Sequence, residues 1–214
     1  DNQNGKSSPA IEGTYGCEMK GNVTLDIRSG RANEICGTQE YSTKSIIRGD
    51  LHIIAGAKKY ENTDRTLRLN GNWPIVGAGN RFAESPYENG TYEVGGNITI
   101  DTFENVWGWD KGTEPPSGDI PEIYGAIDSN VGGNITLNIN GSHMGNITGA
   151  WDSNVKGDVT VNAINVDLRN SYYETEYDEG DILVGYDAII EGKSIINVDG
   201  GDINIVRLTN KKQV

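Results

Sequence analysis

The sequence predicts an all-β fold: a single-stranded parallel β-helix of about six coils, each about 24 residues long, with long loop insertions. Composition, an internal repeat and a strand-like alternation within that repeat all point to it. Glycine and asparagine supply 29 and 23 of the 214 residues, and isoleucine outnumbers leucine by 24 to 8. Glycine and β-branched residues are poor helix formers, whereas isoleucine suits a pleated surface. The composition therefore disfavours a helical protein.

The repeat is clearest in the middle of the chain. The segment GAIDSNVGGNITLNI, which starts at Gly125, recurs 24 residues later as GAWDSNVKGDVTVNA from Gly149. In both copies two glycines stand eight residues apart, and Gly13 and Gly21 have the same spacing. Looser copies begin at Gly37, Gly77 and Gly185. A constant offset favours a solenoid over a β-sandwich, because antiparallel pairing does not require similar residues at a fixed interval.

When the six copies are aligned on their glycines, aliphatic residues fall in register. Three columns are aliphatic in every copy: Ile11, Ile35, Ile75, Ile123, Ile147 and Leu183; Met19, Ile47, Val94, Val131, Val155 and Ile190; Leu25, Ile53, Ile100, Leu137, Val161 and Ile196. Polar residues alternate with the last column, which is typical of a strand with one buried face. We therefore expect Leu137→Asp to cost several kcal/mol of stability, and the outward change Asn138→Asp less than ~0.5 kcal/mol.

The repeat covers one domain, residues 11–214, after a polar segment at residues 1–10. About a dozen extra residues separate some copies, which predicts loops near residues 55–75, 102–122 and 164–182. Insertions also occur at a second position within the repeat, at residues 38–48 and 78–94, and Tyr92 is assigned to the latter. Loops inserted at one phase of a solenoid emerge on the same side of it, so they can form a common surface.

Most aromatic residues fall in these loops, and tryptophan and tyrosine beside acidic or amide groups are typical of sugar and peptide sites. The segments at 106–110 and 171–181 are the strongest candidates. Their predicted ligand-binding residues are Trp107, Trp109, Asp110, Tyr172, Tyr173, Glu174, Glu176 and Tyr177. The alternative is that these aromatic side chains form small satellite cores that hold the loops against the coils.

The second of these segments is also dense in carboxylates, which are ligands that calcium prefers. Asp178, Glu179 and Asp181 are therefore candidate calcium ligands, although their spacing matches no defined calcium-binding loop. A solvated acidic loop explains the same residues. The sequence does not require a cofactor, and calcium is the cofactor that these carboxylates could bind.

Cys17 and Cys36 are the only two cysteines and have 18 residues between them. A disulfide joining them would stabilise the fold by ~3 kcal/mol, mainly by restricting the unfolded chain. In the repeat the two residues occupy different columns, so the pairing is left open.

Charge and absent motifs narrow the function. The chain has 31 acidic and 18 basic residues, a net charge of −13, which would repel nucleic acid. No apolar run approaches the ~20 residues of a membrane helix, so membrane insertion is not expected either. The two histidines, His52 and His143, lie near no serine or cysteine arrangement of a nucleophilic triad. No catalytic residue is predicted.

The Gly-Asn-Ile-Thr-Leu-Asn-Ile motif resembles the strand repeats of right-handed parallel β-helix surface proteins of bacteria, especially adhesin-like proteins. The resemblance covers Gly13 to about Val206 and is loose for any one family. It implies a secreted or cell-surface domain that could belong to a longer surface protein, and it implies carbohydrate or an extracellular protein as the partner.

We therefore predict an extracellular, non-catalytic binding domain that recognises carbohydrate or a host or matrix protein through its loops. One alternative is a carbohydrate-active enzyme of the β-helix class, either a polysaccharide lyase or a glycoside hydrolase. That reading requires acids and a base to converge in a groove. A further alternative is a structural stalk or spacer with no ligand.

Overall fold

The computed structural model describes residues 10–38, 44–56, 67–69, 75–79, 91–104, 106–107, 122–170, 178–204 and 206–210. Within these ranges every regular element is a β-strand, and none is a helix that could cross a membrane. The strands are β1 (Ala10–Thr14), β2 (Glu18–Met19), β3 (Val23–Ile27), β4 (Gly30–Ala32), β5 (Glu34–Thr38), β6 (Lys44–Ile47), β7 (Leu51–Ala55), β8 (Leu67–Leu69), β9 (Ile75–Gly79), β10 (Thr91–Val94), β11 (Ile98–Thr102), β12 (Val106–Trp107), β13 (Ile123–Ile127), β14 (Asn130–Val131), β15 (Ile135–Asn140), β16 (His143–Met144), β17 (Ile147–Trp151), β18 (Asn154–Val155), β19 (Val159–Asn170), β20 (Asp178–Glu179), β21 (Ile182–Tyr186), β22 (Ile189–Ile190), β23 (Ser194–Asp202) and β24 (Val206–Asn210).

The strands stack into three sheets. The first sheet has the order β1-β5-β9-β13-β17-β21-β24, and the second has the order β2-β6-β10-β14-β18-β22. The third follows β3-β7-β11-β15-β19-β16-β12-β8-β4, and β23 also pairs with β19. These strands run parallel to their neighbours; β20, which lies antiparallel to β19, is the exception among the described strands. An all-β chain of stacked parallel strands is compatible with a parallel β-helix.

The strand register agrees with the predicted columns except at one position of the sixth copy. Leu25, Ile53, Ile100, Leu137, Val161 and Ile196 pair in succession along the third sheet. In the first sheet, however, Ile147 pairs with Ile182 and not with Leu183. Gly185 pairs with Ala150, so it is not equivalent to Gly149. The alignment on Gly185 was one residue out of register, because valine occupies the glycine position in this copy.

Part of the predicted loop sequence forms strands. The short strands β8 and β12 lie inside the expected loops at 55–75 and 102–122, and β19 continues to Asn170. Together with β4 and β16 they extend the third sheet, and they bury Leu67, Val106 and Leu168 completely. Strands of two or three residues are too short to show an alternating pattern, so the sequence does not reveal them.

Tyr92 is the second correction to the predicted loops. It belongs to β10 and is only 2% exposed, so it is a core residue and not part of an exposed aromatic surface. The main core cluster consists of aliphatic side chains and Met144, with Ile35, Ile75 and Ile123 fully buried in one column. The prediction that aliphatic columns face inwards is confirmed except at Met19, which is 41% exposed, and at Leu183, whose place in the column is taken by Ile182.

A ladder of side chains stabilises the corner that precedes the third sheet. The side-chain oxygens of Asn22, Asp50, Asn97, Asn134 and Asp158 each accept the backbone N–H of the residue at the same position one repeat later, at 2.7–2.9 Å. The repeat therefore has asparagine or aspartate after its glycine because that side chain satisfies a backbone donor at an exposed corner.

Candidate functional site

Most of the loop residues predicted to bind ligand lie outside the described residues. This applies to Trp109, Asp110, Tyr172, Tyr173, Glu174, Glu176 and Tyr177. Trp107 is described as part of β12, where its backbone is in register with Arg68 on one side and His143 on the other. The convergence of the two loop segments therefore stays a prediction.

Trp107 lies in a row of polar and charged residues that crosses the extension of the third sheet. The register runs through Arg31, Arg68, Trp107, His143, Asp167 and Asp202. His143 is largely buried, and its Nδ1 lies 3.2 Å from Oδ2 of Asp167. The row therefore begins with two arginines and ends with two aspartates, and the first of these aspartates, Asp167, pairs with the imidazole of His143.

Asp181, one of the candidate calcium ligands, has a structural role. Its backbone N–H donates to Oδ1 of Asn146 at 2.8 Å, and its own Oδ1 accepts a hydrogen bond from Nδ2 of Asn204 at 3.3 Å. Asp178 and Glu179 lie in β20. Within the described part of the chain, no group of three or more histidine, cysteine or acidic residues is arranged to hold a metal ion. Calcium binding by this segment stays a prediction.

Cys17 and Cys36 both carry thiols in this structure and are not joined in a disulfide. Cys17 is exposed, whereas Cys36 is buried on the outer side of the first sheet. The thiol of Cys36 donates a hydrogen bond to the carbonyl oxygen of Thr38. Together with Val76, Tyr124 and Ile127, Cys36 forms a small hydrophobic cluster that is separate from the main core.

Three aromatic residues that the sequence analysis did not select form an aromatic ridge beside this cluster: Tyr124, Trp151 and Tyr186. The ring centres of Tyr124 and Trp151 are 5.9 Å apart, and those of Trp151 and Tyr186 are 4.6 Å apart. Both pairs are tilted, at 57° and 41°. Tyr124 is buried, whereas Trp151 and Tyr186 are partly exposed. The ridge therefore has a packed base and an accessible end.

A row of aspartates borders the ridge. Asp128, Asp152 and Asp187 follow directly after β13, β17 and β21, and all three adopt left-handed backbone angles, with φ of 45°, 46° and 49°. Aspartate and asparagine tolerate this conformation better than most residues, which explains their use at the corner. The Nε1–H of Trp151 donates to Oδ2 of Asp152 at 2.9 Å and fixes the indole against the row. Aromatic and anionic groups thus share one edge.

The aspartates influence one another electrostatically. Burial raises the pKa of the Asp128 carboxyl, and the neighbouring negative charge of Asp152 raises it further. A carboxyl whose pKa is raised in the folded state holds its proton more tightly there than in the unfolded chain. As the pH rises from 3.8 through the raised pKa, this group therefore lowers the stability of the fold.

We expect Asp128→Asn to be more stable than wild type at neutral pH and to lack this part of the pH dependence, since asparagine is neutral and tolerates the left-handed angle. Thermal unfolding midpoints measured from acid to neutral pH would show it. In Asp152→Asn, the Asp128 pKa followed by NMR should move down towards its ordinary value. An Asp128 titration that is unchanged in Asp152→Asn would contradict the coupling.

A separate surface, the amide groove, lies on the outer face of the third sheet near its last strands. It encloses about 430 Å³ and is lined by Asn138, Asn140, Asn162, Ile164, Asn197 and Asp199, with Val198 at its end. Nδ2 of Asn138 donates to Oδ1 of Asp101, Nδ2 of Asn162 to Asn138, and Nδ2 of Asn197 to Asn162, each at 2.7 Å. The groove therefore contains a continuous ladder of oriented amides.

The other end of this face carries His52 and two aspartates. Nε2 of His52 lies 2.6 Å from Oδ2 of Asp101, while Asp26 is held by Arg28 at 2.7 Å. The hydrogen bond from Arg28 lowers the pKa of the Asp26 carboxyl, which makes it a poor proton donor at neutral pH. Among these three residues, Asp26 is therefore a poor candidate for a general acid.

Comparison with known proteins adds no assignment: no family model, curated protein or solved structure matches this chain.

A signal for the ridge was present in the sequence. Ile127, Trp151 and Tyr186 pair with one another across β13, β17 and β21, and each is followed by an aspartate. Comparing the residues just before the aspartate in each copy would have found the Trp151–Tyr186 pair. Tyr124, which comes from a different position of the repeat, has no such signal.

Proposed function

We propose that this chain is an extracellular, non-catalytic binding domain of a secreted or cell-surface protein, and that it recognises carbohydrate at the aromatic ridge. The observation that carries the proposal is the partly exposed pair Trp151 and Tyr186 beside Asp152. Aromatic rings offer an apolar surface to sugar C–H groups, while carboxylates accept hydrogen bonds from hydroxyls. A host or matrix protein is the alternative ligand.

The finer features of the fold belong to the same proposal. We infer a right-handed β-helix of about six coils, similar to the adhesin-like surface proteins that the repeat motif resembles. The stacked parallel sheets support this inference, since each sheet takes successive strands from successive copies of the repeat. A rigid solenoid of this kind presents side chains at fixed intervals, which suits a binding surface.

A glycan array probed with wild type and with Trp151→Ala tests the proposal. We expect the alanine variant to lose binding by about ten-fold or more, because truncating an aromatic anchor removes a large part of the binding free energy. Trp151→Phe keeps an aromatic ring and serves as the control, and both variants are checked for wild-type thermal unfolding. The double variant Trp107→Ala with Trp109→Ala tests the loop surface in the same way.

The outcomes separate the possible sites. Loss of binding in Trp151→Ala alone supports the ridge, and loss in the tryptophan double variant alone moves the site to the loops. If wild type binds no glycan on the array, the carbohydrate proposal fails. A protein ligand or a passive spacer then takes its place.

One observation favours a second candidate function, a carbohydrate-active enzyme. The row of Arg31, Arg68, Trp107, His143, Asp167 and Asp202 brings two cations, an aromatic residue, an imidazole and two carboxylates into register on neighbouring strands. Such groups can hold an acidic sugar and transfer protons to or from it. Turnover of polysaccharides by wild type but not by His143→Ala would support this function, and a lack of turnover would leave the binding function.

A further inference from the structure

The amide groove has features of a second binding site, distinct from the ridge. It lies on the third sheet, whereas the ridge lies on the first. Its floor is formed by residues one strand apart on β15, β19 and β23. Ile164, which is 41% exposed, follows Asn162 on the same face of β19, so apolar surface adjoins the amides in the groove.

The amides in the groove are already oriented. Each Nδ2 donates to a side-chain oxygen one strand earlier, which is the Asp101 carboxylate for Asn138 and an asparagine amide for the other two rungs, so the rotation of every side chain in the ladder is fixed. A primary amide has a second N–H and its oxygen a second lone pair, so each rung retains one donor and one acceptor for a ligand. Fixed side chains lose little entropy on binding. The groove is therefore preorganised.

The interval between rungs restricts the kind of ligand. Adjacent parallel strands are ~4.8 Å apart, so donor and acceptor pairs recur at that interval along the groove. A ligand that uses several rungs must repeat its own polar groups at a similar distance. An extended chain of sugar rings does so, since each ring carries hydroxyls that both donate and accept and C–H faces that can contact Ile164.

The charge of the groove restricts the ligand further. Its polar lining is mostly neutral amide, with Asp199 as the carboxylate among the lining residues. The chain as a whole carries a net charge of −13, which disfavours a polyanion such as a uronic acid polymer. Among the lining residues that the structure describes, there is no lysine or arginine to offset that repulsion.

We propose that the amide groove binds a neutral, extended oligosaccharide that lies along the ladder, with about one sugar ring per rung. This inference shares the ligand class of the proposed function but uses a different surface and different residues. Its ligand is defined by the ladder: a linear chain without charge, bound more tightly as more rungs are covered.

Isothermal calorimetry with β-1,4-linked glucose and N-acetylglucosamine oligomers of increasing length tests the groove. We expect the affinity to rise with length until the oligomer spans the rungs and then to level off. NMR signals of the side-chain amides of Asn138, Asn162 and Asn197 should shift on binding. Asn197→Ala should weaken binding about five-fold, the effect of one lost hydrogen bond with its neighbouring contacts.

A matched control exists on the second sheet. Asn154 donates from Nδ2 to Oδ1 of Asn130 at 3.2 Å, which is the same kind of exposed amide contact outside the groove. Asn154→Ala should leave binding unchanged. Ile164→Ser, at a position already 41% exposed, provides a second groove variant that does not depend on the ladder, and it should also weaken binding.

The results distinguish the groove from the ridge. Binding that is lost in Trp151→Ala but kept in Asn197→Ala and Ile164→Ser would overturn the groove inference and support the ridge. Binding lost in the groove variants and kept in Trp151→Ala would support the groove while the ridge proposal fails. Affinity that does not depend on length, or binding to anionic oligogalacturonate or to an extended peptide but to no neutral oligomer, would also overturn the inference.

Discussion

Leu137→Asp is expected to unfold the domain or to lower its free energy of unfolding by roughly 4 kcal/mol or more. Leu137 is fully buried in the middle of β15, between β11 and β19, where its neighbours in register are Ile100 and Val161. An aspartate there must either bury an unpaired charge or take up a proton at a high cost. Urea denaturation followed by circular dichroism measures the loss.

The control for this substitution is Leu137→Ile. The same column already contains leucine, isoleucine and valine, so a change of shape within it should cost less than ~1.5 kcal/mol. Similar denaturation midpoints for the aspartate and isoleucine variants would mean that Leu137 is not in the core and that the register is wrong.

The neighbouring residue Asn138 is not the neutral surface position that the sequence predicts. Its Nδ2 donates to Asp101, and its Oδ1 accepts from Asn162. Asn138→Asp would remove the donor and place a second carboxylate against Asp101. We now expect this change to cost about 1–3 kcal/mol instead of less than ~0.5 kcal/mol, because a hydrogen bond is replaced by like-charge repulsion.

Gly125→Ala is expected to destabilise the fold by about 3 kcal/mol, near the upper end of ordinary overpacking costs. A methyl group at Gly125 would collide with the backbone carbonyl oxygen of Gly149 and would lie 2.5 Å from Cγ2 of Ile135. The carbonyl belongs to a paired strand, so it cannot move away without breaking the register. The glycine is needed for this close approach and not for an unusual backbone angle, since its φ is not in the left-handed region.

Gly21→Ala provides the matched control for Gly125→Ala. Gly21 occupies an exposed corner of the same repeat, and a methyl group built there meets no atom within 4 Å. The free energy of unfolding of Gly21→Ala should stay within about 0.5 kcal/mol of wild type. If both alanine variants unfold at the same urea concentration, the close approach of Gly125 to Gly149 and Ile135 is refuted.

The candidate site was less predictable than the core. Trp107 and Trp109 were selected because they stand in a long insertion, yet β12 makes Trp107 part of a paired row. The ridge was missed because Tyr124, Trp151 and Tyr186 are far apart in sequence and only Trp151 lies within the clearest repeat unit. The amide ladder was visible as a column of polar residues, but its hydrogen bonds and the adjoining groove depend on three strands lying side by side.

The sequence by itself determined the class of fold and the inward columns, because burying one face of a repeated strand requires aliphatic residues at a constant phase in every copy. It could not determine the sixth copy, in which valine replaces the marker glycine and moves the register to Ile182. The short strands β8 and β12, the contact of Tyr124 with Trp151 and the amide groove were decided only by tertiary structure. They depend on contacts between residues in successive copies of the repeat. Because the insertions differ in length, the number of residues between such positions differs from one pair of copies to the next. No fixed spacing in the sequence therefore reveals these contacts.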